Sequence, residues 1–184
     1  MKSASFRPIT ATVLALLILG CSSMKPPLRT VPHVDLPRYM GDWYVIANIP
    51  YFGEKHCFDS VESYALRSDG DIDNWFTCRN GSFDAPMKRK VNALAKVQDT
   101  SSNAVWRVHF LKVISVQYLI VDLDPDYQWV AVAHPSRRYG WIMSRSKTLP
   151  EPLYKAILHR LADQGYETSR FAKVPQRDQP ETGK

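Results

Sequence analysis

The sequence contains no run of apolar residues long enough to cross a membrane as a helix: the longest, from Ile9 to Leu19, falls short of the about 20 residues that a hydrocarbon core requires. It also lacks the short signatures of common chemistry. There is no GxSxG nucleophile turn, no phosphate-binding P-loop and no glycine-rich dinucleotide fingerprint. His33, His56, His109, His134 and His159 are scattered and form no HExxH pair or CxxC-like spacing, so no metal site is expected. Asp69, Asp71 and Asp73 alternate as calcium ligands do, but Asn74 stands where the loop needs its glycine and Asn80 where it needs its closing glutamate. No internal repeat or low-complexity tract divides the chain. These absences leave the common catalytic classes without support, and no cofactor is expected.

Charge says little about partners. The formal +6 falls to +4 once Lys2 and Arg7 are set aside with a segment read below as removed. The basic residues left are dispersed, with Lys88-Arg89-Lys90 and Arg137-Arg138 as the only clusters and no stripe of basic and aromatic side chains. Short charge runs of this kind are solvated surface, so no nucleic-acid partner is expected.

What is present is the composition of one globular domain. A length of 184 residues suits a single core with tails, and 45% hydrophobic residues exclude the composition of a disordered chain. Residues 1–20 have the order of an export signal: Lys2 and Arg7, then the apolar run, then small Gly20. Leu17-Ile18-Leu19-Gly20-Cys21 resembles the lipobox of bacterial lipoproteins, which implies cleavage before Cys21 and acylation of that residue. In the Gram-negative families it resembles, a residue other than aspartate after the cysteine, here Ser22, accompanies sorting to the outer membrane. Residues 21–35 hold Pro26, Pro27 and Pro32 and read as a flexible tether, and the polar residues 175–184 as a loose tail.

Between the tails, residues 36–174 read as short strands separated by turn signals. Strands are expected over Trp43–Pro50, Phe58–Arg67, Ile72–Cys78, Val91–Val97, Ala104–Leu111, Gln117–Leu123, Gln128–Ala133 and Tyr139–Ser144. Asp69-Gly70 is a hairpin-turn cue, and connections this short exclude parallel crossovers. From Pro152 to Gln164, Leu153, Ile157 and Leu161 recur every fourth residue, an apolar helical stripe closed by Gly165. A further short strand is expected over Phe171–Val174. The fold class is all-β: an eight-stranded antiparallel up-and-down barrel with one C-terminal helix packed outside.

Gly41-Asp42-Trp43-Tyr44 at the head of the first strand carries the Gly-x-Trp signature of the lipocalins. Asp122-Leu123-Asp124-Pro125-Asp126-Tyr127-Gln128 resembles the second motif of that family, and Trp141-Ile142-Met143-Ser144-Arg145 the third. The resemblance looks closest to the bacterial outer-membrane lipocalins. It implies a binding protein that holds a fatty acid or lysophospholipid for storage or transport at the outer membrane, facing the periplasm. Association into a homodimer is left open. Gly41, Trp43 and Arg145 are structural: the glycine turns the chain sharply, the indole plugs the closed end, and the guanidinium lies over it.

If Trp43 points inward, alternation sends Val45 and Ala47 inward too. Tyr118, Ile120, Trp129 and Trp141 complete the candidate ligand wall, with the head group of an acyl ligand at the mouth. Cys57 and Cys78 bracket the hairpin and, in an exported protein, suit a disulfide. The rival reading is a reactive thiol at the cavity, as in the prostaglandin-isomerising lipocalins, which would make the protein an enzyme on a bound lipid. A third reading is a structural envelope lipoprotein whose barrel is filled by its own side chains.

Overall fold

Each of the first eight strands hydrogen-bonds to its sequence neighbours among them, and the first also bonds to the eighth, so these eight close on themselves as a barrel. The computed structural model describes residues 25–110 and 113–177. The strands are β1 (Gly41–Ile49), β2 (Cys57–Leu66), β3 (Ile72–Asn80), β4 (Lys88–Val97), β5 (Val105–Phe110), β6 (Ile114–Leu123), β7 (Trp129–Ala133) and β8 (Gly140–Ser144). All pairings are antiparallel, and the closing seam sets Tyr44 opposite Ser144 and Val45 opposite Met143. A two-residue β9 (Ala172–Lys173) adds to the outer flank of β1. The architecture expected from the sequence, an eight-stranded antiparallel barrel, is the one found.

Local chemistry sets the corners. In the β2–β3 hairpin Gly70 has φ +85°, and Asp69 accepts the backbone N–H of Asp71 and pairs with Arg67. Its aspartates thus fold a turn, and among the described residues no cluster of His, Cys, Asp or Glu could hold a metal ion. Between β6 and β7, Asp124 alone caps the turn, accepting from the N–H groups of Asp126 and Gln128, while Asp122 pairs with Arg160.

Two layers of apolar packing hold the barrel. Helix α2 (Glu151–Asp163) buries Tyr154, Ile157 and Leu161 against the outer face of the wall, where Leu119, Val121, Ala131, Ala133 and Ile142 meet it. The inner layer joins Trp43, Val45, Trp106, Ile120, Val130 and Met143 at the closed end. The Cys57–Cys78 disulfide forms, with 5.5 Å between its Cα atoms, on neighbouring strands. Its 21-residue separation gives about 3 kcal/mol of stabilisation in the chain-entropy model. Neither sulfur is then a free nucleophile, which removes the basis of the thiol-enzyme reading.

The described part of the tether is not loose. Backbone bonds run from Val31 N–H to Ile120 O (3.0 Å) and from Val34 N–H to Ser102 O (2.7 Å), and Val34 is fully buried. This strap leads into a short helix α1 (Leu36–Tyr39), capped by Asp35, which the sequence reading did not anticipate. At the other end, Gln176 donates to Val45 O and Ser60 O, so the first residues of the tail are also tied down. Residues 1–24, with Cys21, lie outside the described residues.

Candidate ligand-binding cavity

The closed end of the barrel is built around one indole. Gly41, the first residue of β1, takes φ +92°, and a Cβ there would stand 3.5 Å from the Arg145 guanidinium. Trp43, fully buried, donates from Nε1 to Tyr39 O at 2.8 Å, and Arg145 lies 3.7 Å above its ring. The same guanidinium donates to the carbonyls of Arg38, Tyr39, Met40 and Asp42. Above this plug, Trp106 stacks on Tyr118 at 5.0 Å, and three phenols form a chain: Tyr39 to Tyr118 at 2.6 Å and Tyr118 to Tyr64 at 2.9 Å.

Over that floor the barrel is hollow. A cavity of about 410 Å³ is walled by Phe76, Val91, Val108, Phe110, Val116 and Met143. Its volume falls in the range of small-ligand sites, roughly 300–1,000 Å³. A barrel filled throughout by its own side chains is therefore not what this chain forms. The rim is apolar as well: Phe52 in the β1–β2 loop, Ile114 at the start of β6 and Tyr139 before β8 all line the cavity and are exposed to solvent.

A family model described as a lipocalin-like domain matches residues 34–176. The chain belongs to the lipocalin family. This lipocalin is 32% identical to temperature-induced lipocalin-1 of Arabidopsis thaliana over 168 residues, covering 85% of this chain and 87% of the relative. It is 28% identical to the outer membrane lipoprotein Blc of Escherichia coli over 170 residues, covering 91% and 95%. Among solved structures, insecticyanin from the tobacco hornworm Manduca sexta superposes with a TM-score of 0.64 at 16% identity, covering 85% and 86% of the two chains, which speaks for the fold.

The polar groups of this lipocalin's cavity include two carboxyls beside Asn74, Gln117, His134 and several phenols. Glu54 accepts from Trp141 Nε1 and from Asn48 Nδ2, each at 3.0 Å, and burial pushes its carboxyl up to about 7 despite those bonds. Glu62, on β2, accepts from Asn74 Nδ2 at 2.8 Å through Oε2. Burial raises its carboxyl to about 8, with the neighbouring Glu54 charge adding to the effect. Part of the Glu62 surface stays accessible, and that residue lines the cavity. Burial likewise drives the Tyr39, Tyr64 and Tyr118 phenols well above 10.0 and lowers His134 at the rim. Among the described residues, no lysine or arginine lines the cavity.

The residues named from the sequence divide into three sets. Tyr118 and Trp141 line the cavity. Val45 and Ile120 point inward but lie in the solid packing beneath it, both fully buried. Ala47 and Trp129 stand on the other side of the wall, which corrects the alternation argument for Ala47. A β-bulge between Val45 and Ala47 inserts one residue, and one residue reverses the facing of every side chain after it. Ala47 and Ile49 consequently pack against α2. Trp129 has the opposite parity to inward Val130 and lies under Arg160 of α2 at 5.3 Å. The glutamates were missed. The available signal was parity: Glu62 is two residues before inward Tyr64 on an uninterrupted stretch of β2, so both face the interior.

Proposed function

We propose that this lipocalin is a lipid-anchored carrier that binds one long-chain amphiphile of the fatty acid or lysophospholipid class at the outer membrane. The hollow, largely apolar interior carries this reading, because an acyl chain gains about 25 cal/mol for each Å² of apolar surface it buries there. The name of the Escherichia coli relative supports the membrane location. So does the path of the strap: Lys25 donates to Gly165 O, and Arg137 of the β7–β8 loop holds Pro26 O. That loop also brings His134 and Tyr139 to the cavity rim. The chain thus reaches the barrel from the mouth side, so an anchor at Cys21 would hold the mouth near the bilayer with which ligand is exchanged. No described helix is long and apolar enough to cross a membrane, and acylation is the attachment this reading requires.

Delipidated protein lacking the anchor is expected to change its tryptophan fluorescence on titration with a long-chain amphiphile, saturating near one ligand per barrel. Val116→Arg, a half-buried wall position, should abolish the response while the far-ultraviolet circular dichroism stays unchanged. Val45→Arg would not serve, because Val45 is fully enclosed and a charge there destabilises the fold itself. Absence of saturable uptake for every amphiphile overturns the carrier reading. The anchor is tested separately: Cys21→Ser should abolish lipid modification in mass spectrometry and move the protein from the membrane fraction to the soluble one. Unmodified Cys21 in the mature wild-type protein overturns that part.

A further inference from the structure

The cavity does not become purely apolar with depth, as a site for an acyl chain with its head at the mouth would. The exposed rim carries Phe52 and Ile114 beside Tyr139 and His134, and the depth carries Glu62, Asn74 and the Tyr64 and Tyr118 phenols. The two buried carboxyls are also unequal. Glu54 has both oxygens occupied, Oε1 by Trp141 and Oε2 by Asn48. Glu62 has only Oε2 occupied, by Asn74, and its Oε1 accepts no hydrogen bond among the described residues. A buried carboxyl with one oxygen unpaired and opening on a hollow, along which no described residue is basic, is a receptor for a donor that arrives with the ligand.

We propose that Glu62 is the head-group receptor of the cavity, and that the ligand it selects is a single-chain amphiphile ending in a protonated amine, seated amine inward with its tail toward the mouth. The inference rests on the carrier reading, keeps its single acyl-length chain and replaces the acidic head group with a basic one. A carboxylate or phosphate head seated inward would find no compensating cation among the described lining residues: it would meet Glu62 either ionised, a like-charge contact in a medium of low dielectric, or protonated, a single donor that leaves the buried head-group charge unneutralised. An ammonium meets the converse: an uncompensated carboxyl to pair with, and the aromatic residues Tyr64, Tyr118 and Trp141 along the same cavity, whose ring faces attract cations. Pairing favours the ionised carboxylate, so near neutral pH the protein gives up the Glu62 proton as the amine enters. The titratable groups that face Glu62 along the cavity are Glu54, Tyr64 and Tyr118, with Tyr51, His134 and Tyr139 toward the rim.

The test compares dodecylamine, dodecanoate and dodecanol by isothermal titration with the anchor-free protein. At pH 7.5 dodecylamine is expected to bind at least tenfold more tightly than dodecanoate. Its binding enthalpy should vary with the ionisation enthalpy of the buffer in proportion to the proton released. Glu62→Gln, of the same shape, should bring amine and acid within about threefold of each other and suppress the buffer dependence. Equal affinity for amine and acid in the wild-type protein, or an amine preference that survives Glu62→Gln, overturns the assignment. Failure of all three ligands to bind overturns instead the carrier reading on which it rests.

Discussion

Replacing Trp43 with alanine is expected to remove about 3–5 kcal/mol of folding stability, the usual cost of truncating a large buried aromatic. The position explains why the full cost applies. Trp43 is fully enclosed, its ring lies against Tyr39 at 5.2 Å, and Arg145 covers it at 3.7 Å, so little around it can collapse into the space. The loss would also strip Arg145 of its aromatic face. That guanidinium satisfies the carbonyls of Arg38, Tyr39 and Met40, which α1 is too short to use itself. Arg145→Lys should therefore be more damaging than a conserved charge suggests, because an ammonium cannot reproduce the planar fork that reaches several carbonyls at once. Urea unfolding followed by circular dichroism gives the measurement. A Trp43→Ala midpoint corresponding to less than 1 kcal/mol would show that the plug does not bear on folding.

The second large effect is a fall in the stability of the ligand-free protein as pH rises from 6.5 to 8.5. Glu62 titrates at about 8 in the folded chain against an ordinary value of 4.5, and Glu54 at about 7. Between the ordinary and the raised values the folded protein holds protons that the unfolded chain has released. Stability from both groups is complete below about pH 4.5 and is lost as pH climbs through 7 and 8. Across the stated window the loss is on the order of 2 kcal/mol, or a drop in Tm of roughly 4–8 °C for a domain of this size. His134 has the opposite sign: with its value lowered by burial, its contribution is lost as pH falls through the ordinary histidine range, below most of this window. Glu62→Gln should flatten the decline and raise Tm at pH 8.5. A wild-type Tm that is level or rising from pH 6.5 to 8.5 would mean that the carboxyls ionise without cost.

The barrel was legible in the sequence because its cues are local. Strand lengths, the Asp69-Gly70 turn, the α2 stripe and the Gly41-x-Trp43 and Arg145 motifs each depend on a few neighbouring residues, and each corresponds to an element found. Facing was less legible, because it accumulates along a strand and a single bulge reverses it. Ala47 was lost that way, while Val45, before the bulge, faces inward as alternation requires. The strap was misread for another reason. Its prolines suit an extended chain, but whether an extended chain swings free or lies down depends on partners such as Ile120 and Ser102, about 90 and 70 residues away in sequence. Glu62 is a polar residue on an inward parity. Hydropathy alone makes such a residue count against a buried face, when its burial is what gives the cavity its character.

The seam between β1 and β8 also sets the pace at which the molecule can assemble. Each of the other barrel junctions joins strands adjacent in sequence and can zip from its own turn, whereas Tyr44 must find Ser144 across the whole length of the barrel. The entropy of closing so long a loop is lost before any seam hydrogen bond compensates for it, and topologies of this kind fold in milliseconds to seconds rather than microseconds. Until the seam shuts, β1 and β8 are bare edges that another strand could pair with. The residues that lock the seam, Trp43 on one side and Arg145 on the other, therefore also shorten the interval in which the chain is open to aggregation.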